Sequence, residues 1–375
     1  MKKTIYIIAG EASGDTLGAQ LMRALKLKNS NIQFHGIGGT QMMEEGMASL
    51  FSMQELSIMG IVEILPKIPQ MLKRINQTVR DIESKNPDIV ITIDAPDFSF
   101  RVQKKLKQRA RIKPKQIHYV APTVWAWKPK RAKKIAKFLD GIICLFPFEP
   151  QYFKAEGLEA VAVGHSMMET NVLDAKPLTV GKNNTPKLGV FFGSRNGEIK
   201  RLSPVIIDAI QQLSKNNPTL ELIIPTLPHL KDTIESITSS LDTPCHIFTD
   251  PKQKWPVFKS CDSAIAVSGT VGLELAAANI PHLITYKVNN LTYQILKRVI
   301  KTKYAHLVNI ILQKEIVPEF IQQHCTANNI SNTSQKLLTD ETARRAQTDN
   351  FEIVRKKIGQ NEKPSHSAAN FILNL

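Results

Sequence analysis

The feature that most constrains the fold of this chain is a regular alternation of short apolar runs with amphipathic stretches. Runs rich in Val, Ile and Leu predict buried strands, and the stretches between them have the spacing of helices. Such an alternation indicates parallel sheets with helices on both faces. It stops at residues 174–186, where Lys, Asn, Gly and Pro dominate, and then resumes. The predicted strands are residues 4–9, 33–37, 88–94, 116–120, 141–145 and 160–163 before this interruption, and residues 188–192, 221–225, 245–248, 263–267 and 282–286 after it.

Because the interruption separates two such series, we expect an α/β protein with two doubly wound, Rossmann-like domains that face a cleft. The predicted boundaries are residues 1–172 for the N-terminal domain and 186–340 for the C-terminal domain. Residues 341–375 again have helical spacing and are predicted to form helices that cross back to the N-terminal domain. Open sheets of this kind bind ligands at the carboxyl ends of their strands, so the motifs at strand ends carry the functional information.

The positive charge of the chain is concentrated in one segment. The sequence has 49 Lys and Arg against 33 Asp and Glu, and residues 101–137 contain many of these cations and no acid. Such a segment attracts nucleic acid, an acidic lipid or a phosphorylated substrate; the alternative is a solvated lysine-rich surface. Within it, Trp125 and Trp127 beside Arg131 can stack on bases, contact a lipid interface or pack beneath a loop.

Several classes of protein are not expected. The four cysteines form no C-x-x-C pair, and neither they nor the histidines have the spacing of metal ligands, so we predict no disulfide framework, no metal and no cofactor. No stretch reaches the roughly 18 uninterrupted apolar residues of a membrane span, and the apolar run after the N-terminal lysines is too short for a signal peptide. We expect a cytoplasmic protein.

Two acidic motifs follow predicted strands of the N-terminal domain. Residues 10–15 (GEASGD) make a turn before a helix, and the acidic Glu11 and Asp15 suit a hydroxyl-rich sugar better than a phosphate. The alternative is a plain turn in which Ser13 or Asp15 caps the helix. Asp94 ends the strand in ITIDAPDF, where a carboxylate can act as a general base on a hydroxyl or merely cap the next helix.

Two turns in the C-terminal domain resemble phosphate-binding turns. In the first, Ser194 and Arg195 end a strand, Glu198 follows inside a helix, and the guanidinium can clamp a diphosphate. The second, residues 268–270 (SGT), also joins a strand to a helix, with free backbone N–H groups and two hydroxyls. Glu274, one turn further, can accept hydrogen bonds from a ribose. Each turn alone is also an ordinary helix cap, but two in one domain favour nucleotide binding.

Residues 53–74 (MQELSIMGIVEILPKIPQMLKR) combine many aliphatic side chains with Pro66 and Pro69 and end in two cations. Two prolines are unusual in a buried helix, so we predict an exposed apolar patch at a membrane surface. The alternative is a stripe that packs in the core.

Together these motifs resemble the lipid A disaccharide synthases, a family of inverting glycosyltransferases of the two-Rossmann-domain (GT-B) type. The resemblance covers roughly residues 9–322, and YVAPTVWAW is its most specific part. Phe192 stands where the family commonly has Pro, and Ser166 and Glu169 follow His165 where Pro or Thr and Asp are usual. The matching stretches are AGEASGD, SIMGIVEIL, IDAPDF, HYVAPTVWAWKPKR, LFPFEP, VGH, GSRNGEIKRL, SGTVGLE and residues 304–322.

The resemblance implies transfer of 2,3-diacylglucosamine from its UDP conjugate to 2,3-diacylglucosamine 1-phosphate, which gives the β(1→6) disaccharide 1-phosphate and UDP. It implies that Asp94 is the base, with Glu11 assisting it or positioning a sugar, and that no metal is used. The partners are these two substrates and the anionic headgroups of the inner membrane, on which the protein is peripheral; no nucleic acid is expected, and a homodimer is compatible with the tail. The implied nucleotide-sugar contacts are Ser194, Arg195, Glu198, Ser268, Gly269, Thr270, Glu274, Asn309 and Gln322. The implied acceptor or membrane contacts are Ser13, Asp15, Met59, Ile61, Ile64, Leu65, Trp125, Trp127 and Arg131.

Three alternatives share some of these features. A UDP-N-acetylglucosamine epimerase would use the same UDP turns but would not need an exposed aliphatic patch. A basic RNA-binding protein would spread base-stacking aromatic residues along its basic face, whereas here they cluster at Trp125 and Trp127. A non-catalytic membrane scaffold would leave Asp94 and Arg195 without a function.

Overall fold

The computed structural model describes residues 3–56, 68–108, 112–170, 172–300, 302–359 and 362–375. The chain divides into two compact units. The first unit comprises Met1–Glu169 and Lys357–Leu375, and the second comprises Thr170–Lys356.

The described part of the first unit contains a sheet of six parallel strands with helices around it. The strands lie in the order β2-β1-β3-β4-β5-β6. They are β1 (Lys3–Ala9), β2 (Ile32–Ile37), β3 (Ile89–Ile93), β4 (Lys115–Tyr119), β5 (Gly141–Cys144) and β6 (Glu159–Ala162). The helices are α1 (Ala12–Lys28), α2 (Thr40–Glu44), α3 (Ile68–Lys85), α4 (Pro96–Gln108), α5 (Lys130–Ile135) and α6 (Pro150–Lys154), with 3₁₀ turns at Met53–Glu55 and Ser166–Glu169.

The second unit has the same kind of sheet, in the order β12-β11-β10-β7-β8-β9. Its described strands are β7 (Lys187–Phe191), β8 (Glu221–Pro225), β9 (Cys245–Phe248), β10 (Ser263–Val267), β11 (His282–Tyr286) and β12 (Glu319–Ile321). Its helices are α7 (Asn196–Asn216), α8 (Lys231–Thr238), α9 (Lys254–Lys259), α10 (Thr270–Ala277), α11 (Asn290–Val299), α12 (Leu307–Leu312), α13 (Ala327–Thr339) and α14 (Glu341–Gly359), with 3₁₀ turns at Val172–Asp174, Pro228–Leu230, Pro251–Gln253 and Gln322–His324. The last helix of the chain is α15 (Pro364–Asn374).

Strands of the first sheet are apolar on both faces because both faces are covered. In β1, Ile5 and Ile7 pack on one side in a core cluster with α1 and α15, and Tyr6 and Ile8 pack on the other side. A parallel sheet between two helical layers therefore needs the near-continuous apolar runs that predicted its strands. The expected α/β fold with two Rossmann-like units is confirmed. Of the C-terminal helices expected to pack back on the first unit, α15 does so, whereas most of α14 belongs to the second unit.

Each sheet has one point at which the strand order reverses. In the first sheet β1 lies between β2 and β3, and Ala9 is paired with Ile93. In the second sheet β7 lies between β8 and β10, and Phe191 is paired with Ala266. Connections leave such a point in opposite directions and open a crevice at the carboxyl ends of the two strands, where ligands of α/β proteins bind. Within the described residues no helix is both long and apolar enough to cross a membrane.

Candidate active site

Two acidic side chains meet at the reversal point of the first sheet. Glu11 follows β1 at the N-terminus of α1, and Asp94 directly follows β3. The two loops touch, because a Cβ atom added at Gly10 would lie 2.7 Å from the Cβ atom of Ala95. Only glycine permits so close an approach. The structure thus brings together the two predicted acids, which are distant in the sequence.

The backbone around Asp94 has an unusual conformation. Asp94 and Ala95 have φ angles of 50° and 43°, and Val120, at the end of the neighbouring strand β4, has a φ of 75°. This left-handed region is costly for Ala and especially for a β-branched residue. The amide of Asp94 donates to the carbonyl of Tyr119 at 3.0 Å, and the Ser99 hydroxyl donates to the Asp94 carbonyl at 2.8 Å. These bonds hold a conformation of the kind that concentrates at functional sites.

The environment favours proton uptake by both carboxyl groups. Burial raises the pKa of Asp94, against the opposing hydrogen bond that the Ala95 amide donates to its Oδ1 at 2.9 Å. Burial, and then the nearby charge of Asp94, raise the pKa of Glu11. A carboxylate with a raised pKa is a stronger base, and each oxygen left without a donor can face a substrate hydroxyl. Among the described residues, none donates a hydrogen bond to Asp94 Oδ2.

Asp15 and Ser13, the other two predicted contacts on the turn of residues 10–15, differ in their surroundings. Asp15 is buried, and its carboxylate accepts from the amides of Gly39 (2.7 Å), Gln41 (3.0 Å) and Met42 (3.1 Å). It therefore satisfies the free N–H groups at the start of α2, which is a structural role. Ser13 is exposed in the first turn of α1.

Trp125 is held by a buried carboxylate that the sequence did not reveal. Its indole Nε1 donates to Glu149 Oε1 at 3.0 Å, and the amides of Leu145 and Phe146 donate to Oε2 at 3.0 and 2.9 Å. Burial raises the pKa of Glu149 to about 7, although these three hydrogen bonds oppose the shift. Glu149 thereby ties the loop that carries Trp125 to the end of β5.

Trp127 and Arg131 lie at the surface of the same region. Trp127 is 40% exposed, with the Lys128 ammonium 4.3 Å from the centre of its ring. The Arg131 guanidinium lies 5.5 Å from the ring of Phe100. The lysines that follow Trp127 in the chain are exposed; they are Lys128, Lys130, Lys133, Lys134 and Lys137.

The predicted apolar patch is described only at its flanks. Here Met53, Leu56 and Met71 pack against a core cluster, whereas Leu72 is 47% exposed. The flanks therefore contribute to the core, in part as the alternative interpretation expects. Four predicted membrane contacts lie outside the described residues: Met59, Ile61, Ile64 and Leu65.

The first turn of the second unit depends on Gly193. Its φ is 96°, and a Cβ atom there would lie 3.1 Å from Glu198 Oε2. Arg195 follows in extended backbone and immediately precedes α7, with its Nη1 atom 2.9 Å from Glu198 Oε1. The Arg195 side chain is 72% exposed and that of Glu198 is 11% exposed. The guanidinium can therefore exchange this carboxylate for a ligand at little cost.

The second turn, residues 268–270, follows β10 next to the first. The amide of Ser268 donates to the carbonyl of Thr285 at 3.0 Å, and Gly269 and Thr270 are exposed. Amide groups at the start of α10 have no partner within the helix and suit an anion. Because β7 and β10 are paired, both turns border one cavity of about 740 Å³. Its other lining residues include Phe191, Thr226, Leu227, Phe248, Asp250, Phe258 and Glu274.

The cavity contains a second cation that the sequence motifs did not indicate. Lys254, the first residue of α9, lines it, and its Nζ atom lies 2.7 Å from Glu274 Oε1. Glu274, which we expected to accept from a ribose, is therefore paired with an ammonium group. No spacing between residues 254 and 274 predicts this contact, because it depends on how α9 and α10 pack.

Two further predicted contacts have structural roles in this fold. The buried Asn309 amide donates to the Val317 carbonyl and accepts from the amides of Ile316 and Val317, all at 2.8–2.9 Å. Gln322 similarly binds both the amide and the carbonyl of Val288, at 2.7 and 3.1 Å. Neither side chain is among those that line the cavity. In the part of the chain that the structure describes, no three His, Cys, Asp or Glu side chains are grouped to hold a metal ion.

Comparison with solved structures supports the fold. A putative UDP-N-acetylglucosamine 2-epimerase from Listeria monocytogenes superposes with a TM-score of 0.64 at 13% identity, covering 100% of this chain and 95% of that one. The glycotransferase of kitacinnamycin superposes with a TM-score of 0.65 at 12% identity, covering 99% and 98%. At such low identity these similarities concern the fold alone.

The sequence comparisons are more specific. The family described as lipid-A-disaccharide synthetase matches residues 5–373. The lipid-A-disaccharide synthase of Rhodospirillum centenum is 40% identical over 378 residues, which cover 99% of this chain and 94% of the relative. The chain therefore belongs to the lipid-A-disaccharide synthase family, the glycosyltransferases of lipid A biosynthesis.

Proposed function

We propose that this glycosyltransferase transfers 2,3-diacylglucosamine from UDP-2,3-diacylglucosamine to 2,3-diacylglucosamine 1-phosphate, with inversion at the anomeric carbon. The observation that carries the proposal is the pair of turns at residues 193–195 and 268–270, which open on one cavity beside two cations. This is a site for a nucleoside diphosphate. Membership of the family and the UDP-sugar named in one fold neighbour support the choice of UDP.

In this proposal the second unit stabilises the leaving group. As the bond between the anomeric carbon and the diphosphate oxygen breaks, UDP gains negative charge. Arg195, Lys254 and the amides at the start of α10 are the positive groups around the cavity. Once such donors are in contact with the bound diphosphate, they stabilise the charge that develops on it without further reorganisation. To engage UDP, Arg195 and Lys254 would exchange Glu198 and Glu274 for the diphosphate, and Glu274 would then be free to accept from the ribose.

The first unit would supply the base. Asp94 or Glu11 removes the proton from the 6-hydroxyl of the acceptor while that oxygen forms a bond to the anomeric carbon opposite UDP. The C–O bond to UDP breaks with its electron pair, so an α-linked donor gives a β(1→6) product and UDP. The raised pKa values of both carboxyl groups support this role, because a base is most effective when its pKa approaches the working pH.

We also propose that the protein associates peripherally with the anionic surface of the inner membrane, where both acylated substrates reside. Exposed Lys130, Lys133 and Lys134 on α5, with the exposed ring of Trp127, support this. Each cation near such a surface contributes about 1 kcal/mol, and a tryptophan ring suits the headgroup region.

The proposal is tested by incubating the purified protein in detergent micelles with both substrates, in the presence of EDTA. UDP release and the disaccharide are measured by mass spectrometry. We expect UDP release that depends on the acceptor and a disaccharide of matching mass. Absence of product both with EDTA and after addition of Mg²⁺ would contradict the proposal, and UDP release without acceptor would indicate hydrolysis.

A further inference from the structure

Two buried histidines form a pair behind the turn at residues 268–270. His282 begins β11 and His306 precedes α12, and both are fully enclosed by the second unit. Their Nε2 atoms are 3.0 Å apart, and their ring centres are 5.0 Å apart. Neither residue lines the cavity.

The partners of the two rings determine where the protons lie. The amide of Val308 donates to His306 Nδ1 at 3.1 Å, so this nitrogen carries no proton and Nε2 does. His282 Nδ1 lies 2.8 Å from the carbonyl of Ile280 and therefore donates, which leaves its Nε2 as an acceptor. One N–H···N hydrogen bond thus joins two neutral rings. Burial lowers the pKa of both, that of His282 to about 4, which keeps them neutral.

The pair touches the helix that begins at the diphosphate turn. Gly272 lies in the first turn of α10, against the ring of His306. A Cβ atom at Gly272 would lie 2.3 Å from Nε2 and 2.8 Å from Cδ2 of that ring. Only glycine lets the helix rest at this depth, so the imidazole sets the position of its first turn.

The other side of the pair is fixed to α14. The Gln347 side chain accepts from the His282 amide at 2.8 Å and donates to its carbonyl at 3.0 Å. The ring of Phe351 stacks on that of His282, with centres 5.4 Å apart. The amide of His306 donates to Glu319 at 2.9 Å. The rings are therefore held on a rigid base, from which they support α10.

We propose that the His282–His306 pair is a positioning element for the diphosphate: it fixes the first turn of α10 through Gly272, and with it the amide groups that hold the phosphates. This inference rests on the proposed function, since it assumes that the cavity takes a UDP donor. It predicts that disturbing the contact weakens binding of the diphosphate much more than binding of the nucleoside, which has no phosphates for these amides to hold.

The experiment compares UDP and uridine binding by calorimetry for the unchanged protein and for Gly272→Ala, His306→Ser and the double variant. Serine removes the ring but can still cap α12 through its hydroxyl. We expect Gly272→Ala to weaken UDP binding about tenfold or more and uridine binding less than about twofold, because bonds to charged groups are lost. His306→Ser should also weaken UDP binding by a larger factor than uridine binding. The double variant should bind UDP more tightly than either single variant, because the methyl group then has room. His324→Ser, at an exposed histidine of the same unit, is the matched control.

Equal losses for UDP and uridine, or a double variant no better than the single ones, would overturn the inference and leave a packing role only. UDP binding that all variants retain would overturn it as well, while the proposed function stands. If the unchanged protein binds no UDP, the proposed function fails and this inference fails with it. If Gly272→Ala does not fold, the loss of UDP binding relative to uridine binding in His306→Ser tests the inference instead.

Discussion

At the scale of single residues, the geometry around Asp94 distinguishes an acid with a chemical role from one with a structural role. Asp15 and Asp94 both lie near the carboxyl ends of two central strands of the first sheet, Asp15 after β1 and Asp94 after β3. Asp15 is buried and accepts three amide hydrogen bonds at a helix N-terminus, so both of its oxygens already have donors. Asp94 accepts one such bond on one oxygen, in strained backbone beside Glu11. A carboxylate that is held in a costly backbone conformation and has an oxygen without a hydrogen-bond donor is the better candidate for catalysis.

This contrast yields a prediction for Asp94→Asn. Asparagine tolerates the left-handed backbone and keeps the size of the side chain, but it cannot accept a proton. We expect turnover to fall by about 10²–10⁴-fold, the usual contribution of a general base, with UDP affinity within about twofold of the unchanged value. Acceptor-dependent UDP release and calorimetry measure the two quantities.

The matched control is Asp97→Asn, at the exposed acid three residues further along the chain, in the first turn of α4, which should retain turnover. Glu11→Gln completes the set. A larger loss of turnover in Glu11→Gln than in Asp94→Asn would identify Glu11 as the base. Loss of UDP binding in Asp94→Asn would show instead that Asp94 positions a ligand.

At the scale of elements, Glu149 links the loop with Trp125 to the end of β5, and this link should depend on pH. The folded-state pKa of about 7 lies above the ordinary value of 4.5, so the folded state favours the protonated form. The stability from this group is fully present below pH 4.5 and is lost as the pH rises through 7. The loss is on the order of 3 kcal/mol across that window.

Urea unfolding between pH 4 and 8 tests this for the unchanged protein and for Glu149→Gln, because groups common to both cancel in the difference. The free energy of unfolding of the unchanged protein should fall relative to that of the variant as the pH rises. Glu156→Gln, at an exposed acid near the end of α6, is the control. A difference that does not change with pH would contradict the prediction.

The elements also indicate what a sequence can reveal. A run such as residues 88–94 predicts β3 because a strand between two helical layers must be apolar throughout, and Ile89–Ile93 confirms it. β12 was missed, since Glu319–Ile321 is too short to show a period. Turns that follow paired parallel strands, such as those after β7 and β10, could be expected to meet. The hydrogen-bond and ion-pair partners of Glu149, Asn309 and Lys254 could not be predicted from the sequence, because these contacts depend on side-chain directions in the packed fold.

At the scale of the whole molecule, the fold gives only some of the described cations in residues 101–137 a partner within the protein. Arg131 lies near an aromatic ring and Lys107 pairs with Asp140 at 3.5 Å. Ala132 and Ile135 bury one side of α5, so its lysines are left on the outer side. An amphipathic helix end with lysines on one side, beside an exposed tryptophan, is typical of a surface that binds anionic lipid.

We therefore expect the protein to sediment with vesicles that contain anionic lipid and not with vesicles of neutral lipid, and to be released as the salt concentration approaches about 1 M, where charges are screened within roughly 3 Å. The double variant Lys133→Gln/Lys134→Gln should lose about 2 kcal/mol of binding, or roughly 30-fold in affinity. Lys215→Gln/Lys336→Gln removes two exposed cations of the second unit and should leave the affinity unchanged. Equal losses in the two double variants would attribute the binding to net charge alone. Binding that persists unchanged in both, and at high salt, would assign it to apolar contacts such as Leu72 and Trp127, since these are not screened.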